Sequence, residues 1–312
     1  MTQVSDGLEK IQQLPPHKFL KPLQSKHIMS TRLIDIHPHI ISTDTQRYPI
    51  APLGGEQSGW SAKRPATFEQ YLVAMDAAGI DKAAIVHSST TYGFDNSYVA
   101  DSVALQPNRV DGVFSVDILA PDASEKIHYW VARGLGGLRI FTTGSTMPGQ
   151  APWLEDPRIL PGWETAGDLG LSICVQMTPA AIPQLEKLLR QFPKTSVIID
   201  HMLKPNIADG APYPGAQFLF DLARFDNVYL KMTTRNTAEA QSGKATPETF
   251  FGKLVTEFGA NRIAWGSNFP ATEGNILDMV NDLKKCIAFL STEDQHWIMA
   301  GTAQKLYPHL AD

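Results

Sequence analysis

The stretch Leu33-Ile34-Asp35-Ile36-His37-Pro38-His39 combines a short apolar strand with two histidines at its end, and the predicted fold is arranged around it. Alternate residues of a strand point to the same face, so the pattern predicts that His37 and His39 converge on one point, with Asp35 one step below His37. Two imidazoles at a strand end form half of a metal site, or a cluster that polarises a carbonyl oxygen. A His-x-His pair also occurs in ordinary loops, so its meaning depends on what the other strands bring to the same place.

Composition narrows the class of protein. The chain has 312 residues, 43% of them hydrophobic, which suits one large barrel domain. A net charge of -5 and a pI near 6.0 argue against a nucleic-acid partner. The two cysteines form no paired motif, which is typical of a reducing compartment. No apolar run is long enough to span a membrane and the first thirty residues lack a signal-peptide core, so we expect a cytoplasmic protein without a membrane partner.

Apolar strand-like stretches alternate with helix-like segments along the chain. The predicted strands lie at 33–37, 82–87, 110–116, 137–141, 171–176, 196–201, 228–232 and 262–266. Between them the pattern predicts helices, the first opening with a capping box at Thr67 and Gln70. It also predicts an unusually long loop at about 41–66, a polar turn at 88–93 and a loop after strand 7 that runs to about 246. Eight strand–helix units predict a single-domain (β/α)8 TIM barrel over residues 31–312, with residues 1–30 as an N-terminal extension. The rival is a doubly wound open sheet, but no Gly-rich phosphate loop follows the first strand.

Active sites of such barrels lie at the C-terminal ends of the strands. Polar residues occupy seven of the eight predicted strand ends, which chance placement rarely produces. Beyond the histidine pair, these are His87, Ser88, Ser89, Thr90 and Thr91 after strand 2, Arg139 on strand 4, Gln176 on strand 5, Asp200 and His201 on strand 6, Lys231, Thr233 and Arg235 on strand 7, and Asn268 after strand 8. The cations around this mouth, with Lys204, predict a site for a carboxylate or sulfonate.

Three motifs resemble the amidohydrolase superfamily, and within it the amidohydrolase-2 branch of lactonases and decarboxylases: 35–39 (DIHPH), 199–201 (IDH) and 265–270 (WGSNFP). The turn at 92–96 (YGFDN) and the strand start at 137–139 (GLR) are similar to lactonases of the 2-pyrone-4,6-dicarboxylate and sulfomuconolactone type. The resemblance covers about residues 32–310.

The resemblance implies that His37, His39 and His201 bind a divalent metal such as zinc, or polarise the substrate carbonyl as in metal-free lactonases. Two positions depart from the family pattern. Asn268 stands where an aspartate usually ligates metal and shuttles protons, and Gln176 stands nearest to a position that often holds a further histidine. An amide cannot take a proton from water near neutral pH, although three histidines still suffice for a catalytic zinc.

We therefore expect a hydrolase that opens a small carboxylated or sulfonated lactone, and the resemblance places it in the breakdown of aromatic compounds. The expected catalytic residues are His37, His39, His201 and Asn268, and the expected substrate contacts are Arg139, Lys231, Arg235, Ser89, Thr90, Tyr48 and Gln176. Strand parity predicts that Asp200 faces away from His201 and orients a histidine from behind. The alternatives are a metal-dependent non-oxidative decarboxylase of the same superfamily and a non-catalytic barrel that binds a small anion. The oligomeric state stays open, a homo-oligomer included.

Overall fold

A computed structural model describes residues 32–144 and 150–311, so the predicted extension at 1–30 lies outside the described residues. Eight parallel strands follow one another in chain order around a single sheet. They are β1 (Ile34–Asp35), β2 (Lys82–Val86), β3 (Val110–Phe114), β4 (Gly137–Phe141), β5 (Ser172–Gln176), β6 (Val197–Ile199), β7 (Val228–Thr233) and β8 (Ile263–Gly266). The N–H of Ile36 donates to the carbonyl of Trp265 over 3.1 Å and so joins β8 to the end of β1. The predicted TIM barrel is confirmed.

Helices surround this barrel. They are α1 (Gly59–Lys63), α2 (Phe68–Ala77), α3 (Ser89–Tyr92), α4 (Ser97–Leu105), α5 (Ala123–Ala132), α6 (Leu160–Asp168), α7 (Ile182–Gln191), α8 (Gln217–Phe220), α9 (Thr234–Glu239), α10 (Pro247–Phe258), α11 (Ile276–Ile287), α12 (Thr292–His296) and α13 (Thr302–Leu306), the last two joined by a π-helical turn at Trp297–Gly301. The predicted capping box is present at the start of α2, where Thr67 and Gln70 exchange hydrogen bonds. Helices α1, α3 and α9 lie in stretches that the sequence pattern predicts as loops, because four to six residues are too few to show a helical period. No helix of the described chain is long and apolar enough to cross a membrane.

The core has two layers, and β7 shows how one strand serves both. Val228 and Leu230 pack in the layer between the barrel and the helices, whereas Tyr229 belongs to the cluster inside the barrel. Lys231 has the same parity as Tyr229, so its side chain also lies inside, fully buried. Tyr307 fills the interior from the N-terminal ends of the strands, and its hydroxyl lies 3.4 Å from the Cys174 sulfur.

Four strands, β1, β2, β3 and β6, end one or two residues earlier than predicted, and the ends of β1 and β6 shape the site. β1 ends at Asp35, whose Oδ1 accepts from the N–H groups of His37 and Ser267 over 3.0 and 2.8 Å. β6 ends at Ile199, and residues 201–204 then take φ values between 51° and 60°. We call this segment the left-handed turn (201–204). Because it rotates the backbone, Asp200 and His201 both face the barrel axis, and the predicted orientation of Asp200 away from His201 is wrong.

Candidate active site

A cavity of about 310 Å³ opens at the C-terminal ends of the strands. Its lining consists of His37, His39, Trp60, His87, Ser88, Ser89, Thr90, Arg139, Gln176, His201, Asn268 and Ala271. A second cavity of about 360 Å³ lies beside the ends of β3 and β4, and its described lining is mainly apolar, with Phe94, Ile140 and Trp153 but no histidine. The first cavity is therefore the candidate active site.

The structure brings the three predicted histidines together, with His37 in the centre. Its ring centroid lies 4.9 Å from that of His39 and 4.8 Å from that of His201. Gly266 at the end of β8 allows this arrangement, because a Cβ built there would lie only 2.5 Å from the Cβ of His37. The glycine in the strand-8 motif is thus needed for β8 to pass close to the first histidine.

The hydrogen bond of His39 fixes its tautomer. Its Nδ1 lies 2.7 Å from the carbonyl oxygen of Val86. A carbonyl only accepts, so Nδ1 carries the proton and Nε2 of the neutral ring presents a lone pair.

His201 reaches the same state through a longer chain of contacts. The Thr233 hydroxyl donates to Oδ1 of Asn236 over 3.1 Å, and Nδ2 of Asn236 donates to the carbonyl of His201 over 3.1 Å. The hydroxyl oxygen of Thr233 is thereby left to accept from Nδ1 of His201, 3.0 Å away. Nε2 of the neutral His201 ring therefore also presents a lone pair.

All three histidines are held in the neutral form. Burial is the main reason that the pKa of His39 and the pKa of His201 fall to about 3. The positive charge of Arg139 lowers both pKa values further, whereas Asp200 opposes the shift for His201. Burial also lowers the pKa of His37 well below its ordinary value, followed by the charge of Lys231.

Neutral imidazoles with free lone pairs are the ligands that zinc and similar divalent metals prefer. Both ring nitrogens of His37 are buried and have no hydrogen-bond partner within the described chain, as expected where a further ligand belongs. The donor types therefore fit a metal. Across residues 32–144 and 150–311, however, no three His, Cys, Asp or Glu side chains are arranged as a metal-holding group. Binding would require the three rings to shift toward a common point.

A buried carboxylate with two cations forms the floor beneath the histidines. Asp200 Oδ2 accepts from Nε of Arg139 over 2.8 Å, and its Oδ1 lies 2.9 Å from Nζ of Lys231. Although burial raises the pKa of Asp200, the charges of Lys231 and Arg139 hold that pKa well below its usual range. Arg139 also donates to Oε1 of Gln176. The carboxylate is therefore a poor base, and its structural effect is to orient the guanidinium.

The end of β2 contributes one ring and several hydroxyls. Nε2 of His87 donates to the carbonyl of Gly93 over 2.9 Å, and burial is the main cause that lowers the pKa of His87 to about 4. The Thr90 hydroxyl donates to Ser58 over 2.9 Å. The Ser89 hydroxyl is buried and has no hydrogen-bond partner among the described residues, so it can bond to a ligand.

Asn268 and Trp60 close the wall. Asn268 has φ 58°, and its Nδ2 donates to the hydroxyl of Thr272 over 2.9 Å. Trp60 from α1 packs against His39 with ring centroids 5.1 Å apart. Trp60 is a site residue that the strand-end pattern does not predict; its signal in the sequence is an aromatic residue within the unusually long loop after the histidine pair.

Three predicted substrate contacts do not line the cavity. The Tyr48 hydroxyl donates to Asp101 over 2.7 Å, away from the histidines. Arg235 is paired with Glu239 over 2.7 Å at the exposed side of α9. Lys231 lies beneath Asp200 and is fully buried. Their own ion pairs and hydrogen bonds set these positions, which strand-end counting cannot anticipate.

Comparisons with known proteins agree with this architecture. The amidohydrolase family model Amidohydro_2 matches residues 34–309. The chain is 26% identical over 216 residues to 4-sulfomuconolactone hydrolase from Rhizobium radiobacter, covering 68% of this chain and 70% of that protein. It is 22% identical over 308 residues to 2-pyrone-4,6-dicarboxylate hydrolase from Comamonas testosteroni, covering 93% and 94% of the two chains.

A solved amidohydrolase from Burkholderia multivorans with bound zinc superposes with a TM-score of 0.70 at 17% identity, covering 89% of this chain and 99% of that one. At that identity the likeness concerns the fold alone. The family match extends over nearly all of the barrel and includes every residue that lines the cavity. The chain therefore belongs to the amidohydrolase family of enzymes.

Proposed function

We propose that this protein hydrolyses a small anionic lactone. The observation that carries the proposal is that three neutral histidines and a buried guanidinium line one cavity. The family match and two relatives named as hydrolases of a sulfonated lactone and a dicarboxylated pyrone support it. In the reaction, water adds to the ring carbonyl, the ring C–O bond breaks, and the product carries a new carboxylate.

Arg139 is the proposed anion contact. It lines the cavity, and Asp200 fixes the direction of its guanidinium through Nε. A guanidinium offers a planar set of N–H donors that matches a carboxylate or sulfonate. Arg139 would thus set the orientation in which the ring carbonyl faces the water or metal that the histidines would bind.

His39 and His201 present acceptors rather than donors through Nε2. A neutral ring with its proton on Nδ1 cannot donate through Nε2 to a carbonyl oxygen, so His39 and His201 are suited to binding a metal or accepting from water. His37, His39 and His201 are the residues that would hold a divalent metal, which when bound supplies Lewis-acid polarisation and an activated water. Their shared neutral state serves either role.

The remaining wall residues position the ring. The free hydroxyl of Ser89 donates to a ring substituent, and Thr90 and Gln176 extend the same polar wall. Asn268 takes the place of the family's aspartate as a hydrogen-bonding group rather than as a base. Trp60 covers His39 and excludes bulk water from one side of the cavity.

Turnover of a panel of lactones with and without an acidic substituent tests the proposal. Turnover is monitored by the absorbance of the ring and by the release of acid. We expect one acid group per turnover without carbon dioxide. Arg139→Ala should raise KM for the anionic lactone by on the order of tenfold or more, because a charge-assisted contact is lost. His201→Ala should abolish turnover. Arg158→Ala, at an exposed arginine paired with Asp156, is the matched control and should change neither constant.

Release of carbon dioxide instead of ring opening would replace the proposal with the decarboxylase alternative. Binding of small anions without turnover of any compound would favour the non-catalytic barrel. Metal content per purified chain, measured by elemental analysis together with activity after chelation, separates the two histidine roles. One divalent metal per chain and loss of activity on chelation would assign the rings as ligands.

A further inference from the structure

Lys231 is a buried cation for which the proposed reaction has no direct use. It projects from β7 into the barrel interior, is fully buried, and does not line the cavity. Its Nζ lies 2.9 Å from Asp200 and 3.3 Å from the sulfur of Cys174. Removing an ammonium from water is costly, and apolar residues of similar size often stabilise a core as well or better. The position of Lys231 therefore calls for an explanation beyond stability.

The charges of the cavity floor, which consists of Arg139, Asp200 and Lys231, explain the position of Lys231. Arg139 and Asp200 alone would form a neutral pair, because one guanidinium faces one carboxylate. Lys231 is bound to the other oxygen of the same carboxylate, so the floor carries two cations and one anion.

Within the described chain, the other buried carboxylates belong to Asp35 and Asp111, and neither compensates this excess. Asp35 accepts from backbone N–H groups and from the hydroxyl of Tyr71 on α2. Asp111 accepts from the backbone and lies 3.6 Å from His309. The floor beneath the cavity thus keeps one uncompensated positive charge.

We infer that Lys231 is the specificity-determining residue that makes this cavity select anions. It neutralises Asp200 from below and so leaves the charge of Arg139 available to the substrate. Lys231 acts through Asp200 and Arg139 and does not touch the ligand. The electric field of a buried charge is weakly screened. Lys231, which is separated from the cavity by Asp200 and Arg139, therefore still attracts an anion in the cavity. This inference rests on the proposed function. It attributes the preference for anionic lactones to the one uncompensated positive charge of the cavity floor.

Calorimetric binding of benzenesulfonate and of methyl phenyl sulfone to the full chain tests the inference without any need for turnover. The two probes have similar shape and differ in charge. We expect the wild-type protein to prefer benzenesulfonate and Lys231→Met to bind it on the order of tenfold more weakly, with little change for the sulfone. Asp200→Asn leaves two uncompensated cations and should bind benzenesulfonate more tightly than the wild type. The double variant K231M/D200N restores the original charge and should return toward wild-type affinity.

Cys174→Ala is the control, since it removes the second contact of Lys231 and keeps every charge. Unchanged preference in K231M, or weaker anion binding in D200N, would overturn the inference. Should K231M fail to fold, D200N and the double variant still decide the question. Benzenesulfonate should bind D200N more tightly than the wild type, and the added K231M change should reverse that gain. If the wild type itself shows no preference for the sulfonate, the proposed substrate class fails with it. If the wild type prefers the sulfonate but K231M and D200N bind benzenesulfonate with the same affinity, only the role of Lys231 fails.

Discussion

The tautomer of His201 depends on residues that do not line the cavity. Thr233 accepts from Nδ1 and donates to Asn236, which in turn holds the carbonyl of His201. Thr233→Val keeps the shape of the side chain and removes the acceptor, so the ring is no longer fixed. We expect kcat/KM or metal affinity to fall roughly 10- to 100-fold, as for other residues that orient ligands.

The control for that experiment is Thr256→Val, because the Thr256 hydroxyl only bonds a helix carbonyl on α10. Thr233→Val should have the lower thermal midpoint, because the buried Nδ1–H of His201 loses its acceptor, so the activities are compared well below both midpoints. Activity of Thr233→Val equal to that of Thr256→Val would show that the hydrogen bond from Thr233 does not set the state of His201.

The lowered pKa of His87 makes the free energy of unfolding depend on pH. Its pKa is about 4 in the folded protein, against 6.5 in an unfolded chain. Between these values the unfolded state binds a proton that the folded state does not, so the free energy of unfolding falls as the pH falls from 6.5 toward 4. The slope for one histidine is about 1.4 kcal/mol per pH unit, and above 6.5 it vanishes.

Urea unfolding of the wild type and of His87→Gln between pH 7.5 and pH 5 measures this slope. The variant should lose less stability on acidification, by about 1.4 kcal/mol per pH unit below pH 6.5. Parallel pH curves for the two proteins would mean that His87 has the same pKa in the folded and unfolded states.

The left-handed turn (201–204) is an element in which four non-glycine residues share a conformation that L-residues rarely adopt. Each such residue costs roughly 1–2 kcal/mol. Lys204 is the exposed member, so it tests this cost without disturbing the core. Lys204→Gly and Lys204→Ala remove the same charge and differ mainly in whether a Cβ remains.

We expect Lys204→Gly to be more stable than Lys204→Ala by about 1 kcal/mol, because glycine adopts positive φ freely. Chemical denaturation of the two variants measures the difference. In an ordinary helix or extended segment the order would be reversed, so a more stable alanine variant would contradict the strain.

Elements with a clear period were predictable from the sequence. The strand β4 occupies 137–141 as predicted, and β2 differs by one residue, because each is a short apolar run between a turn and a polar segment. Short helices such as α3 were not predictable, since their stability comes from packing rather than from a repeating pattern. Parity was misleading at the end of β6, where the left-handed turn reorients the chain.

Residues of the site followed the same division. The structure places His37, His39 and His201 in one cavity with Arg139, as their strand-end positions predict. Tyr48 lies elsewhere because its hydroxyl binds Asp101, a contact between residues far apart in sequence. Such partners appear only once the chain is folded.

At the scale of the whole molecule, the net charge and the charge of the cavity floor have opposite signs. The chain has a net charge of -5, yet the cavity floor holds Arg139 and Lys231 around a single carboxylate. The overall acidity therefore argues against a nucleic-acid partner but not against a small anionic ligand, because the charge beneath the cavity is locally positive. An acidic exterior would slow the approach of an anion at low ionic strength, whereas the buried cations favour it once it has entered.

The barrel closes through the two-residue strand β1, and this determines how the enzyme would lose activity in denaturant. β1 pairs with β2 at two positions, whereas β4 pairs with β5 at five. The other side of β1 is held by Ile36 on Trp265 and by the carboxylate of Asp35. β3 also pairs with β4 at only two positions, but β4 has five further positions on its other side, whereas β1, among the described residues, has only these contacts to β8. The amide protons of the β1 edge should therefore exchange with solvent first. The segment that carries two of the three histidines would then open before the remaining strands separate, so mild denaturant should inactivate the enzyme while its ellipticity is still that of the native barrel.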